Sequence, residues 1–381
     1  MFSLTEEQRL VRDTSRDFAR NELAKAAKGI DRDEKIPEEI IKKLGEIGLW
    51  GVLVPEQYDG AGLQLLSLVL ALEEISQICA STSVTLSVHN SLVCNALIKY
   101  GTEAQKRKYL PGLASGKIIG AYALTEPNAG SDAASLQTTA VRRGNEYILN
   151  GTKVFLTSGP IAGLIVAFAR TNSNVPKSKG ISAFLVDHDL PGLKRGLKEE
   201  KMGIRGAIAC ELVFEDTPVP LENMLDKESS GFDVAMGLLN SGRIGIAAQC
   251  VGIAQACLDE SLKYCQERVQ FNKRISEFEA IRWKLSEMAT DIEAARLLTY
   301  QAAILRDSGL PHTKQASMAK LFASTMCNKA AKEAIQIHGG WGYIKDFSVE
   351  RHFRDAKVTE IYEGTSEIQK LVISRELLNN K

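Results

Sequence analysis

The spacing of apolar and polar positions changes twice along the chain. To about residue 120 the spacing is helical. Two overlapping capping boxes, Ser3-x-x-Glu6 and Thr5-x-x-Gln8, precede the first apolar run. Leu66 to Ile75 and Val84 to Ile98 are dense in Leu, Val, Ile and Ala, as buried helices are. Pro55 and the Tyr58-Asp59-Gly60-Ala61-Gly62 stretch mark a loop between helices.

Near residue 118 the texture shortens. Val141 to Leu156 holds two β-like runs around Asn150-Gly151, a strong hairpin signal. Gly163 to Ala169 and Gly180 to Asp187 are short apolar runs bounded by Gly and polar residues, and Cys210 to Glu215 alternates. The connections lack crossover helices, which predicts an antiparallel sheet. From residue 232 the helical rhythm returns. Phe278, Ile281, Leu285, Met288, Ile292, Ala295 and Ala302 fall on one seam, interrupted only by Thr299. That predicts a helix of about 28 residues, roughly 42 Å, which belongs in a bundle. The expected fold is α+β: an N-terminal helical domain (1–120), a middle antiparallel β domain (121–231) and a C-terminal four-helix bundle (232–381).

Composition narrows the field. The chain has 381 residues, 44% hydrophobic and 25% charged, an ordinary globular mix with room for two or three domains. Lys plus Arg is 47 and Asp plus Glu is 47. Zero net charge argues against nucleic acid as a partner, since DNA affinity rests on phosphate neutralisation. No apolar run is long enough to span a membrane. The start shows neither a signal nor a transit peptide, so the expected location is cytoplasmic, or the mitochondrial matrix for a processed form. Seven cysteines without a CxxC pair read as buried free thiols. The five histidines are scattered, and no metal site is expected.

Three stretches could carry chemistry. Tyr122 to Asp132 is a strand end followed by a Gly-containing polar loop, able to offer backbone N–H groups to a ligand or simply to turn. Ile337-His338-Gly339-Gly340-Trp341-Gly342-Tyr343 is a glycine-rich break that allows close backbone approach, to a ligand or to another helix. Ile361 to Gln369 sets Glu363 beside Gly364, with Thr365 and Ser366 following. A carboxylate among apolar residues suits a general base, and the hydroxyls suit a helix cap. There is no GxGxxG and no P-loop.

Taken together, these segments resemble the acyl-CoA dehydrogenase family. They are Thr125-Glu126-Pro127 with Gly130-Ser131-Asp132, Lys153 to Ser158, Arg268-Val269-Gln270-Phe271, Gln336 to Gly340, Arg354-Asp355-Ala356 and Ile361 to Thr365. Order and spacing agree over essentially the whole chain. The nearest resemblance is to the short-chain, butyryl-CoA type, through Gly242 to Ala247 and Gly180 to Val186.

The resemblance implies FAD as cofactor. Tyr122, Leu124, Thr125, Gly130 and Ser131 would run along the flavin, and Phe155 and Thr157 would flank it. Arg268, Gln270 and Phe271, with Gln336, Gly339 and Gly340, would reach an FAD held mainly by a neighbouring subunit, which implies a homotetramer. Thr365 and Glu367 would complete the adenine side. Glu363 matches the catalytic base. Its N–H and a ribityl hydroxyl would bind the thioester oxygen. Ser131, Asn240, Arg243, Tyr362 and Gly364 would contact acyl-CoA. The alternative base position of some relatives matches Gly242, which cannot take a proton. Phe155 stands where Trp is usual, Asn128 and Asn272 where Gly is, and Asn240 where Asp is frequent.

The implied reaction is α,β-dehydrogenation of a short-chain acyl-CoA to trans-2-enoyl-CoA, with electrons passed to electron-transfer flavoprotein. Alternatives are a short branched-chain dehydrogenase and a non-dehydrogenase flavin-binding relative; an acyl-CoA oxidase would be longer. Val88 falls where medium-chain relatives carry an acid, and Ser83 where dicarboxylate-using relatives carry Arg. Both point to a short, uncharged acyl group.

Overall fold

A computed structural model describes residues 4–379. The N-terminal part holds seven α-helices: α1 (Glu6–Phe18), α2 (Ala24–Asp33), α3 (Glu38–Glu46), α4 (Leu65–Ile78), α5 (Ala80–Ser87), α6 (Asn95–Tyr100) and α7 (Glu103–Ala114). Thr5 caps α1 with a complete capping box to Gln8; Ser3, of the other box, lies outside the described residues. α4 is buried almost all round, so its packing supplies the stability that propensity alone would not.

The predicted helix over Val84–Ile98 is not one regular helix. A π-helical segment, Val88–Cys94, joins α5 to α6. Wider turns leave backbone groups to be satisfied elsewhere. Asn90 Nδ2 donates to Leu86 O at 3.1 Å and Leu49 O at 3.0 Å, and Asn95 Nδ2 donates to Ser91 O at 3.2 Å.

Eight strands form one sheet: β1 (Gly120–Ala123), β2 (Thr139–Arg143), β3 (Glu146–Thr157), β4 (Leu164–Arg170), β5 (Ile181–Asp187), β6 (Leu193–Lys198), β7 (Ala209–Pro220) and β8 (Met224–Leu225). Their order is β6-β7-β3-β2-β4-β5-β8, with β1 beside β4. Most neighbours are antiparallel, but β1 pairs parallel with β4, Gly120 opposite Leu164. The long excursion through β2 and β3 supplies the crossover that a helix supplies elsewhere.

The Asn150-Gly151 hairpin does not form. β3 runs straight through it, with a register shift against β7 between Leu149 and Gly151. The hairpin turn lies six residues earlier, at Gly144-Asn145, between paired Arg143 and Glu146. Gly144 has φ +60°, as the first centre of a type II′ turn requires. Gly151 is instead a bulge, where an added Cβ would lie 2.5 Å from Thr138 Oγ1.

The C-terminal part comprises α8 (Gly231–Glu267), the β9–β10 ribbon (Val269–Gln270, Lys273–Arg274), α9 (Glu279–Asp307), α10 (Thr313–His338), α11 (Val349–Lys357) and α12 (Ser366–Asn379). α9 buries Met288, Ile292, Ala295, Thr299 and Ala302. Thr299 fits the seam because its hydroxyl returns to Ala295 O at 2.8 Å. Arg354 ties this half to α2 through Asp31, at 2.8 and 2.9 Å. Among the described residues, no helix is long and apolar enough to cross a membrane.

Candidate active site

Glu363 sits in the turn that leads into α12, at φ +52°. Such a conformation costs a non-glycine residue of order 1–3 kcal/mol and persists only where the surroundings enforce it. Here they do. Lys320 Nζ on α10 donates to Gly364 O at 2.8 Å. Gln369 Nε2 on α12 donates to the same oxygen at 2.8 Å and to Glu363 O at 3.2 Å. Gly364 itself has φ +97°, which only glycine adopts readily. Thr365 caps α12 through a 3.4 Å bond from Ile368 N. On the other side, the Tyr362 hydroxyl donates to Gln249 Oε1 of α8, and Gln249 Nε2 donates to Ala80 O at 2.8 Å.

The Glu363 side chain points at α8. A Cβ built on Gly242 would lie 2.0 Å from Oε2, so a side chain there would collide with the carboxylate. Both carboxylate oxygens are buried without a hydrogen-bond partner among the described residues. Burial pushes the carboxyl up to about 7, against the pull of Lys320 and then Arg243. A carboxylate so placed accepts a proton near neutral pH and has no competing donor to satisfy it.

Arg243, one residue beyond Gly242, is buried. Its Nη1 donates to Asn240 Oδ1 at 2.9 Å, while Nε has no partner among the described residues. Asn240 in turn donates to Thr313 Oγ1 at 3.0 Å. Burial raises the Tyr122 phenol of β1 well above its ordinary value, and the charge of Glu363 adds to the rise.

The loop after β1 is held from beneath. Thr125 O accepts from Val154 N at 2.9 Å. Glu126 accepts from Thr138 N at 2.9 Å and from buried Lys153 at 2.7 Å. Burial lowers Lys153 to about 8, and Glu126 opposes that fall. Beside this anchor β3 bulges between Lys153 and Leu156. The bulge puts Phe155 at φ +59° with its ring 67% exposed. An anchored polar loop beside an exposed aromatic face fits a flat, polar-edged ring such as a flavin. Thr125 and Thr157 are half-buried, Leu124 is buried, and Gly130 and Ser131 are exposed.

The remaining expected contacts lie elsewhere. Tyr264 of α8 stacks on His338 at 4.3 Å, which places Arg268, Gln270, Phe271, Gln336, Gly339 and Gly340 together at the C-terminal end of α8. Gly242 and Tyr264 are separated by about 33 Å of continuous helix. Those six residues are exposed, and nothing lies within 4 Å of a Cβ added to Gly339 or Gly340. Glu367 is exposed at the start of α12.

Sequence reasoning passed over Lys320 and Gln369, and it quoted Lys153 without giving it a task. A signal for Lys320 exists: it occupies the apolar seam Ala316, Ala323 and Cys327, three and four residues apart, all buried.

The comparisons with known proteins agree with this geometry. Acyl-CoA dehydrogenase N-terminal, middle and C-terminal domains match residues 5–117, 121–217 and 229–378. The chain belongs to the acyl-CoA dehydrogenase family. It is 48% identical to the "Acyl-CoA dehydrogenase, short-chain specific" of Clostridium acetobutylicum over 376 residues, 99% of each chain. It superposes on butyryl-CoA dehydrogenase from Megasphaera elsdenii with a TM-score of 0.97 at 42% identity, covering 100% of both chains. It also matches a chain from a structure described as the electron transferring flavoprotein of Acidaminococcus fermentans, with a TM-score of 0.98, 46% identity and 100% of both chains covered.

Proposed function

We propose that Glu363 is the base with which this acyl-CoA dehydrogenase removes the α-proton of a short-chain acyl-CoA. The observation that carries the reading is the sealed, unpartnered carboxylate facing side-chain-free Gly242. The α C–H bond breaks, its proton moves to a Glu363 oxygen, and the electron pair becomes the new α,β double bond as hydride leaves the β-carbon. FAD, the family's cofactor, accepts that hydride when bound. The Glu363 N–H polarises the thioester carbonyl as charge builds on its oxygen. Arg243, Asn240, Ser131, Tyr362 and Gly364 hold the substrate, while the packing of α8 and α10 keeps water from the base.

Tyr122, Leu124, Thr125, Gly130, Ser131, Phe155 and Thr157 hold the flavin end of FAD. The set at the far end of α8 grips the FAD of a neighbouring copy, and Thr365 and Glu367 complete the adenine-side contacts. This division requires a homo-oligomer, which we read as the homotetramer usual in the family; exposed Phe271 (87%), Tyr343 (85%) and Trp283 (63%) supply apolar surface for it. The reduced enzyme passes electrons to electron-transfer flavoprotein, in the cytoplasm or, for a processed form, the mitochondrial matrix. The domains divide at 1–120, 121–231 and 232–381.

The test is anaerobic mixing of the yellow holoenzyme with butyryl-CoA, following flavin bleaching. Glu363→Gln keeps FAD and acyl-CoA binding but loses bleaching by about 10²–10⁴-fold. Rapid bleaching by that variant would assign the proton transfer to another group.

A further inference from the structure

We propose that Lys320 is the positioning residue for the base: its ammonium clamps the Gly364 carbonyl and, facing Glu363, keeps the carboxylate in its proton-accepting form. The inference rests on Glu363 being the base.

Lys320 is fully buried, 0% exposed, on an α10 seam otherwise built of small apolar residues. Burying an ammonium costs several kcal/mol unless it is paired. Yet among the described residues no carboxylate lies within salt-bridge reach of Nζ, whose bond goes to the Gly364 carbonyl at 2.8 Å. A methionine would fill the seam at lower cost. The charge sits on α10 where its ammonium meets the catalytic turn.

Two observations separate clamp from charge. Gln369 already holds the same carbonyl at 2.8 Å and the Glu363 carbonyl at 3.2 Å, so fixing the backbone does not by itself require a cation. Glu363, in contrast, has no hydrogen-bond donor among the described residues, so only nearby positive charge offsets its loss of water. The groups around Glu363 are Lys320 from α10, Arg243 from α8, Tyr122 from β1 and Tyr362 from its own turn. Those around Lys320 are Cys250 and Arg243 from α8, Glu363 from the turn, and Glu360 from the turn before it. Arg243 also donates to Asn240; Lys320 exerts the larger pull of the two. Burial lowers Lys320 itself to about 8, with Cys250 and Glu363 among the groups opposing that fall, so the cation is present through the range in which Glu363 ionises.

The experiment titrates Glu363 directly in the holoenzyme. The infrared carboxyl band of protonated Glu363 is assigned by its absence in Glu363→Gln and followed against pH, alongside the acid limb of flavin reduction by butyryl-CoA. Lys320→Gln keeps a donor for Gly364 O and deletes the charge. It is expected to move both midpoints up by about one pH unit, a tenfold loss of rate below the midpoint. Lys320→Arg restores the midpoint. Gln369→Met, which loosens the turn and keeps the charge, lowers the plateau and leaves the midpoint in place. An unmoved midpoint in Lys320→Gln, with Glu363→Gln inactive, overturns the role of Lys320 alone. Persistent flavin reduction by Glu363→Gln overturns the base assignment beneath it.

Discussion

Gly242 and Glu363 share one small volume: a Cβ on the glycine would lie 2.0 Å from the carboxylate Oε2. Alanine in the middle of a helix ordinarily stabilises by up to about 1 kcal/mol relative to glycine. Gly242→Ala is therefore expected to leave thermal stability near wild type while displacing the base. A misplacement of about 1 Å costs on the order of 10²-fold in rate. Stopped-flow flavin reduction together with a thermal melt checks it. Full activity in the alanine variant would show that the carboxylate works from another position.

The pH dependence has a definite sign. Burial raises Glu363 to about 7, and only the ionised form accepts a proton. The rate of flavin reduction is expected to rise through pH 7 and level off above it. A rate already flat from pH 5 to 8 would mean the working base ionises far lower.

Lys153 and Glu126 are buried together at 2.7 Å beneath the loop after β1. Removing one member leaves the other charge unpaired, at a cost of about 3–5 kcal/mol. Lys153→Met should lower the urea midpoint and speed release of FAD, read as recovery of free-flavin fluorescence. Retention of both would make the pair dispensable to the loop.

His89 stitches the π-helical segment to the sheet. Its Nε2 meets Leu113 O at 3.1 Å and its Nδ1 accepts from Gly120 N at 3.1 Å. Burial lowers it to about 4, against the pull of the Leu113 carbonyl. The folded state therefore holds it neutral while the unfolded chain protonates it below about 6.5. Its contribution is complete above that pH and shrinks as pH falls towards 4, by about 3 kcal/mol at most. Denaturant titrations from pH 7 to 4 should show this slope in the wild type and lose it in His89→Asn.

The acyl slot is expected to favour butyryl-CoA. Val88 is buried in the π-helical segment, and Ser83 is spoken for, taking a bond from Ser76 at 2.7 Å and giving one to Leu72 O at 3.2 Å. Neither Val88 nor Ser83 carries a charge to receive a distal carboxylate, and each methylene that fails to fit costs roughly 1–3 kcal/mol. kcat/KM for butyryl-, isobutyryl-, 2-methylbutyryl-, octanoyl- and glutaryl-CoA with a dye acceptor checks the order. Octanoyl- or glutaryl-CoA as best substrate would overturn it.

Much of this was written in the chain. The α9 seam was legible because its spacing is set by helix geometry alone, and Thr299 fits because its own backbone absorbs its hydroxyl. The turn at Glu363 stood out only through the resemblance of its segment to the family; alone, an acid followed by hydroxyls reads equally as a helix cap. Asn150-Gly151 misled because Gly144-Asn145 competes for the same turn, and which wins depends on β7 pairing across β3. Lys320 stayed hidden because a lysine in a helix usually faces water; its burial is decided by residues more than forty positions away. The parallel β1–β4 pair is equally non-local.

The π-helical segment Val88–Cys94 carries one consequence for how such enzymes diversify. It holds one residue more than a regular helix of the same span would need. Deleting a single residue there would rewind it to a regular helix of the same span and leave the faces of α5 and α6 where they are. Side chains within the segment, Val88 among them, would be redirected together while their neighbours in α5 and α6 kept their places. A change in chain length, with no new residue type introduced, is thus a route by which descendants of this protein could acquire a differently shaped slot in one genetic event.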